Sequence, residues 1–321
     1  MTTYLLDQEG LPQAASDRAS IEARLDQGEF FWLDIHAPGP GEIAMLRDVF
    51  QFHPLAVEDS EHFGQRPKVE DFDGLAFLVL YGAAPPPDED RLVEVHCFYS
   101  ERFMVTVRRD EAPAFDAVRE HYAGRAQQAI RPIVLLYRLL DRLVDSFLPA
   151  LDDVDGRLEV LETTLLSALE EDQLQEVFTL RRRLVGLRRA AAPQRDLVGQ
   201  IAGGVLDLPG LDDEARRYFR DAHDHLIRIT EEVDMERDLL TGAMDVFLSS
   251  ASNRLNVTTK QLAVIATIFL PLTFITGFFG QNFDWMVEQV GSLGAFLIFG
   301  VGFQLLTLAI LLVYFKRRGW F

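Results

Sequence analysis

Cysteine is almost missing from this chain. Cys97 is the only one among 321 residues, so no intramolecular disulfide can form and a cysteine-based zinc site is excluded. Basic charge is short as well, with 31 Lys and Arg against 50 Asp and Glu and a net charge of −19. Nucleic-acid binding needs clustered cations against phosphate, so this deficit argues against that class and favours cationic partners, although acidity also serves plain solubility. The sequence has no G-x-x-x-x-G-K-[ST] phosphate loop and so no sign of nucleotide-driven work. It has no recognisable nucleophile–base spacing or cofactor fingerprint either, and does not read as an enzyme. The opening "MTTYLLDQEG" lacks the basic-then-apolar order of a signal peptide, so the N-terminal region is expected to stay in the cytosol.

Charge of either sign is also missing from two long runs. Leu262 to Gly280 is almost free of it, and about 20 helical residues at about 1.5 Å each match a hydrocarbon core of roughly 30 Å. Leu293 to Phe315, "LGAFLIFGVGFQLLTLAILLVYF", forms a second run, followed at once by Lys316, Arg317 and Arg318. Arg254 and Lys260 precede the first run, whereas the connection "QNFDWMVEQVGS" carries only Asp284 and Glu288. The positive-inside rule then places both termini in the cytoplasm of a cell-membrane protein, with Trp285 and Trp320 as interfacial anchors.

What remains is soluble in character, with mean hydropathy near zero for the whole chain. Up to about residue 125, β-patterns ("FFWLDI", "LAFLVLYG", "EVHCFYSERFMVTVRR") mix with helical stretches ("GEIAMLRDVF", "APAFDAVREHYAG"), an α/β or α+β domain. "GAAPPPDED" reads as a surface loop whose acidic end would attract cations. From Pro132 the pattern turns helical and heptad-like through "PIVLLYRLLDRLVDSFLPALDDVDGRLEVLETTLL" and "LQEVFTLRRRLVGLRRAAA". A third helical pattern starts near Asp212 and, apart from Gly242, meets no strong breaker before Pro271, which predicts one rod about 100 Å long.

Along that rod Asn256, Thr259, Ala263, Ala266, Leu270, Thr273, Gly277 and Gly280 recur every three or four residues, a stripe of small and polar side chains through an apolar span. Lipid does not select such a face. The pattern fits either a close helix–helix seam or the wall of a pore. Two spans cannot enclose water, so a pore requires several copies around an axis. Each copy would end near Gly280, Gln281 and Asn282, where unpaired carbonyls amount to about half a negative charge per helix. The amide oxygens there could accept hydrogen bonds from the waters of a hydrated cation, which suits Mg2+ because it dehydrates reluctantly. In "DAHDH", Asp221, His223, Asp224 and His225 offer helix-spaced ligands for a transition metal, or form an ordinary solvated face.

These residues bring a family into view. "QRPKVEDF" (Gln65 to Phe72), "YFRDAHDHL" (Tyr218 to Leu226), "MDVFLSSASNRLN" (Met244 to Asn256), "IATIFLPLTFITGFFGQNF" (Ile265 to Phe283) and the closing "KRRGWF" together resemble the CorA-type divalent-cation channels, in order and over nearly the whole chain. The resemblance implies a funnel-shaped homopentamer with an α+β cytosolic domain, long helices and two C-terminal transmembrane helices. By position it implies a cytosolic N-terminal domain over 1–130, a cytosolic helical region over 131–211 and a long helix ending in the first span over 212–280. A short extracytoplasmic loop over 281–292 and a second transmembrane helix with a basic tail over 293–321 complete the chain.

It further implies uptake of Mg2+, with Co2+ or Ni2+ as alternatives. Asn256, Thr259, Leu262, Ala266, Leu270, Thr273 and Gly277 would line the pore, Leu262 and Leu270 as hydrophobic constrictions, with Asn282 in the outer selectivity ring. Asp221 and Asp245 would serve as regulatory metal ligands between subunits, and His225 is a further candidate ligand. Two departures stand out. Gly280-Gln281-Asn282 replaces the family's Gly-Met-Asn, and the following loop also differs. These leave Zn2+ open, since related ZntB-type transporters share the architecture, and a non-conducting metal sensor or scaffold remains a third reading.

Overall fold

The computed structural model describes residues 2–6, 12–14, 18–85, 91–123, 130–165, 171–281 and 283–320. In chain order, β1 (Thr2–Leu6), β2 (Pro12–Ala14), α1 (Arg18–Gln27), β3 (Phe31–His36), α2 (Pro40–Asp48), α3 (Pro54–His62), β4 (Lys68–Phe72), β5 (Leu75–Ala83), β6 (Leu92–Tyr99), β7 (Phe103–Arg108) and α4 (Pro113–Ala123) come first. The long helices α5 (Pro132–Asp145), α6 (Phe147–Leu165), α7 (Glu171–Ala202) and α8 (Asp213–Phe279) follow, then α9 (Asp284–Val290). The second apolar helix has three parts: α10 (Leu293–Ala295), a π-helical segment (Phe296–Gly302) and α11 (Phe303–Arg317). Two compact units result, Met1–Ala243 and Met244–Phe321, and α8 contributes to both.

In the first unit seven strands form one sheet in the order β2-β1-β3-β7-β6-β5-β4, antiparallel except where β3 lies parallel to β7. β4 and β5 are joined by Asp73-Gly74, both at positive φ (54° and 91°), the paired left-handed conformation that a two-residue hairpin turn requires. The inner strands are buried on both faces, which is why they read as near-continuous apolar runs. On one face Phe31, Leu33, Ile35, Phe77, Val79, Phe98, Val105 and Val107 pack with Ile43 and Leu46 of α2 and Ala56 and Val57 of α3. Each buried apolar side chain of this size contributes roughly 1.5–3 kcal/mol.

The opposite face receives α4, α5 and α7. Trp32 Nε1 donates to Thr106 Oγ1 (3.0 Å), Thr106 Oγ1 donates to Asp34 Oδ1 (2.9 Å), and Arg108 and Arg119 pair with Asp34 Oδ2 at 3.1 and 2.5 Å. A buried carboxylate held by two guanidinium groups is compensated where a lone one would not be. The heptad-like run from Pro132 breaks into α5 and α6 at Ser146, whose Oγ accepts from the Ala83 amide at 2.8 Å. Gly82 permits that approach, since a Cβ there would lie 2.9 Å from Leu143 Cδ2. α7 runs on through Pro193 to Ala202, and the neighbouring Gln194 closes two bonds with the Tyr81 backbone at 2.7 and 3.1 Å.

A Ser–His–carboxylate chain lies inside this unit. His96 Nδ1 is 3.1 Å from Ser60 Oγ and its Nε2 is 2.7 Å from Glu94 Oε1, while Ser60 Oγ donates to the Ala56 carbonyl. Ser60 and His96 are fully buried, so no substrate reaches the hydroxyl and the chain serves to fasten α3 to β6. Burial alone would raise the Glu94 carboxyl, but the His96 ring and the Gly64 and Gln65 amides outweigh it and hold the pKa below the ordinary glutamate range. A depressed folded pKa contributes stability above the unfolded value of about 4.3 that is lost as pH falls through the folded value. Glu94→Gln is therefore expected to lower the thermal midpoint of the full chain in detergent at pH 7, corresponding to about 2–3 kcal/mol, with the gap from wild type closing below about pH 4.

Candidate functional site

One set of candidate residues lies in unit 2. Among the described residues two helices are long and apolar enough to cross a membrane, α8 and the segment Leu293–Arg317. In a water-soluble core such residues would be covered. Here Leu270 is 72% and Phe274 70% exposed in the single chain, with Ile298 and Leu305 also open.

Within α8 the buried positions Val264 and Ile275 share a face with Lys260 and Phe279, and this face meets the second span. Thr276 Oγ1 accepts from Gln304 Nε2 (2.8 Å), the Phe279 and Phe299 rings lie 6.0 Å apart, and Lys260 Nζ reaches the Gly319 carbonyl (3.2 Å) over the Trp320 ring. Asn256, Thr259, Leu262, Ala266, Leu270, Thr273 and Gly277 lie about half a turn away, and all seven are exposed. The second span of the same chain therefore covers the apolar flank and leaves the polar stripe open. Thr273 Oγ1 donates to the Phe269 carbonyl at 2.8 Å, which fixes the hydroxyl and turns its oxygen into an acceptor.

Gly280 follows the last residue of α8. The Gly280 amide donates to the Thr276 carbonyl at 2.9 Å, and a Cβ at Gly280 would sit 2.9 Å from that same oxygen, so no larger residue fits. Gln281 is exposed and lines a cleft with Met286, Val287, Val290, Phe296 and Phe299. The expected connection holds a short helix, α9, entered at Asp284. Asn282 lies outside the described residues, as does the acidic loop end at 86–90.

A separate set of candidate residues lies in the first unit, where α5 meets α8. Asp141 and Asp145 on α5 and Asp221 and His225 on α8 each stand four residues apart, so each pair shares a helix face. His225 Nδ1 is 3.9 Å from Asp141 Oδ1 and 3.8 Å from Asp145 Oδ1, and one ligand atom from each of these three residues lies within 4.8 Å of the others. Tyr137 donates to Asp221 Oδ2 at 3.4 Å. Asp141 Oδ1 is buried without a hydrogen-bond partner. Burial, then the Asp145 and Asp221 charges, push the Asp141 carboxyl above its ordinary range, with His225 acting the other way. Burial and then the Asp141 and Asp221 charges also raise the Tyr137 hydroxyl. Two carboxylate oxygens, one of them without a hydrogen-bond partner, and one imidazole nitrogen make a set that a divalent metal would complete.

"DAHDH" thus divides by helix face. His225 turns to α5, whereas His223 packs on α7, its Nε2 only 2.7 Å from where a Gly199 Cβ would stand, and Asp224 is exposed. Asp245 is exposed and belongs to unit 2. Asp141, Asp145 and Tyr137 are the residues that sequence reading missed. Their signal was two aspartates four apart on one amphipathic helix, which only the partner helix makes meaningful.

Comparison with known proteins bears on this geometry. A family model described as CorA-like Mg2+ transporter protein matches residues 27–317. YfjQ of Bacillus subtilis, a protein named as a metal ion transporter, is 36% identical over 294 residues, 91% of this chain and 90% of that one. The cobalt/magnesium transport protein CorA of Thermotoga maritima is 35% identical over 310 residues, 95% and 87% of the two chains. The zinc transport protein ZntB of Yersinia enterocolitica is 26% identical over 297 residues, 91% and 88%. The complete structure of the CorA magnesium transporter from Methanocaldococcus jannaschii superposes with a TM-score of 0.83, covering 100% of this chain and 99% of that one. At 20% identity this is a likeness of fold.

The α5–α8 cluster makes its own prediction. A carboxyl whose folded pKa is raised costs stability as pH rises through that value, so the strain on Asp141 is absent in acid and present at pH 8. Asp141→Asn should raise the thermal midpoint of the metal-stripped chain at pH 8 by a few degrees, and should lose most of the further rise that Co2+ gives the wild type.

Proposed function

The chain belongs to the CorA-like Mg2+ transporter family, whose members move divalent cations rather than catalyse reactions, and on that premise we propose that it is a membrane channel for hydrated Mg2+. The observation that carries this reading is the open stripe of α8. Asn256, Thr259 and Thr273 present oxygen acceptors on a face that the chain's own second span leaves uncovered. Within the apolar run the stripe continues through Ala266, Thr273 and Gly277, a face that lipid does not select, and copies of the same helix around an axis are the partner it fits. A homopentamer in the cell membrane, with both termini and the first unit in the cytoplasm and 281–292 outside, follows from the family and the flanking charges.

In that assembly, Leu262 and Leu270 are the hydrophobic constrictions, Ala266 and Gly277 keep the path wide between them, and Gly280, Gln281 and Asn282 form the outer mouth. The entering ion keeps its water shell and is held by amide and hydroxyl oxygens together with the carbonyl ends of the helices. Inward movement across 100 mV releases about 4.6 kcal/mol for a divalent ion, twice the per-charge value, so no other energy source is needed. Asp141, Asp145, Asp221 and His225 form a cytosolic metal sensor, with Asp245 as a further regulatory carboxylate. Two carboxylates about 5 Å apart repel by roughly 3 kcal/mol at an effective dielectric near 20, and bound metal relieves this and favours closure.

Zn2+ is the second reading. His225 supplies a nitrogen ligand beside two carboxylates, a set that suits Co2+, Ni2+ or Zn2+ better than Mg2+, and Gln281 stands where the family signature has methionine. The test is flux of Mg2+ and Zn2+ into liposomes at a set negative-inside potential, read with fluorescent dyes. Mg2+ entry is expected, reduced at least tenfold in Asn282→Ala. Entry of Zn2+ alone would move the assignment to the zinc branch, and no flux of either ion after internal metal is removed would leave a sensor or scaffold. Asp221→Asn with Asp245→Asn should leave the open-state flux intact while weakening its inhibition by internal Mg2+; unchanged inhibition would remove these two residues from the gating mechanism.

A further inference from the structure

A second acidic cluster lies in the first unit, away from His225. Glu236 of α8 is only 1% exposed, and neither of its carboxylate oxygens has a hydrogen-bond partner. A buried carboxylate left in this way is costly, because it has given up water and gained no donor. Its surroundings deepen the problem. Glu232, one turn earlier on α8, and Asp152 and Asp155 on α6 all act on Glu236 with the same sign of charge. The same two aspartates also act on Glu232, so the four carboxylates share one field. Arg183 attracts Glu236, but its guanidinium bonds to the Asp153 carboxylate. Burial and then these like charges push the Glu236 carboxyl up to about 7.

The cluster has a base and a rim. Glu236 is buried, Glu232 is partly covered, and Asp152 and Asp155 are exposed. Spacings of three on α6 and four on α8 set two carboxylates on one face of each helix. Every donor in the set is a carboxylate oxygen, with neither nitrogen nor sulfur, which selects a hard cation of the Mg2+, Mn2+ and Ca2+ class. Among the described residues only Asp141, Asp145 and His225 bring three ligand atoms within 4.8 Å of one another. The Glu236 group is therefore wider, a spacing suited to an ion that keeps part of its water shell.

We propose that Glu236, with Glu232, Asp152 and Asp155, forms a binding site for one partly hydrated hard divalent cation inside each chain, separate from the α5–α8 cluster and from the ion path. This inference does not depend on whether the chain conducts.

The test counts Mn2+ bound to the metal-stripped full chain in detergent micelles, using the electron paramagnetic resonance signal of the free ion. Wild type should bind one more Mn2+ per chain than Glu236→Gln. Asp141→Asn should retain that ion. The double variant Asp152→Asn with Asp155→Asn alters only exposed positions and should weaken the same ion about tenfold, so it decides the matter even where Glu236→Gln fails to fold. Equal Mn2+ number and affinity in wild type and both Glu236-site variants would overturn the proposal. So would a Glu236→Gln chain that melts higher in metal-free buffer yet binds as many Mn2+ ions, since the occupant of the buried carboxylate would then be a proton alone.

Discussion

Hydrocarbon cannot hydrogen-bond to a peptide group, and the second unit follows from that constraint. A helix satisfies its own backbone, so α8 runs without a break from Asp213 to Phe279, and Pro271 falls inside it. The side chains then have to be sorted between lipid, the neighbouring span and whatever else is present. Val264, Ile275 and Phe279 go to the second span, with the Gln304–Thr276 bond among them. Asn256, Thr259 and Thr273 lie on the flank of α8 that the second span leaves open, and Thr273 bonds back to the Phe269 carbonyl of its own helix.

The first unit has the opposite difficulty, an excess of one charge sign held close together. Asp34 resolves it with two guanidinium groups, and Glu94 with a histidine and two amides. Asp141 and Glu236 are not resolved in this way, since each keeps buried oxygen without a donor. Among the described residues these two are the carboxylates that bury an oxygen without a hydrogen-bond partner. Both exceptions face α8 or lie on it, the helix that continues into the membrane.

The Ser60–His96–Glu94 chain shows why arrangement alone does not make an active site. The atoms stand in the order a hydrolase uses, yet burial denies them substrate and the serine proton goes to a backbone carbonyl. Its role is mechanical, as is that of Gln194, which closes on the Tyr81 backbone from the far side of the sheet. Such bonds hold α3 and α7 in place, so that α5, packed on the same sheet as α7, meets α8 in a fixed register.

Local pattern was enough for the spans, the long third helix, the strands around "FFWLDI" and "LAFLVLYG", and the family, because each rests on periodicity, run length or contiguous motif. The sequence also marked Asp221 and His225. It did not pair them with Asp141 and Asp145, because these lie on another helix and nothing in the local pattern of either element names its partner. It read one helical run where Ser146 divides α5 from α6, since the reason for the break is the Ala83 amide, distant in the chain. α7 runs through Pro193 to carry the buried Gln194, whose partner is the Tyr81 backbone on the sheet. Glu236 was invisible among many acidic residues until packing took it out of water. Periodicity and composition therefore determined which segments are helices, strands and spans, whereas tertiary structure alone decided which charges meet and which lose solvent, because desolvation and Coulomb interaction depend on distance through space and not along the chain.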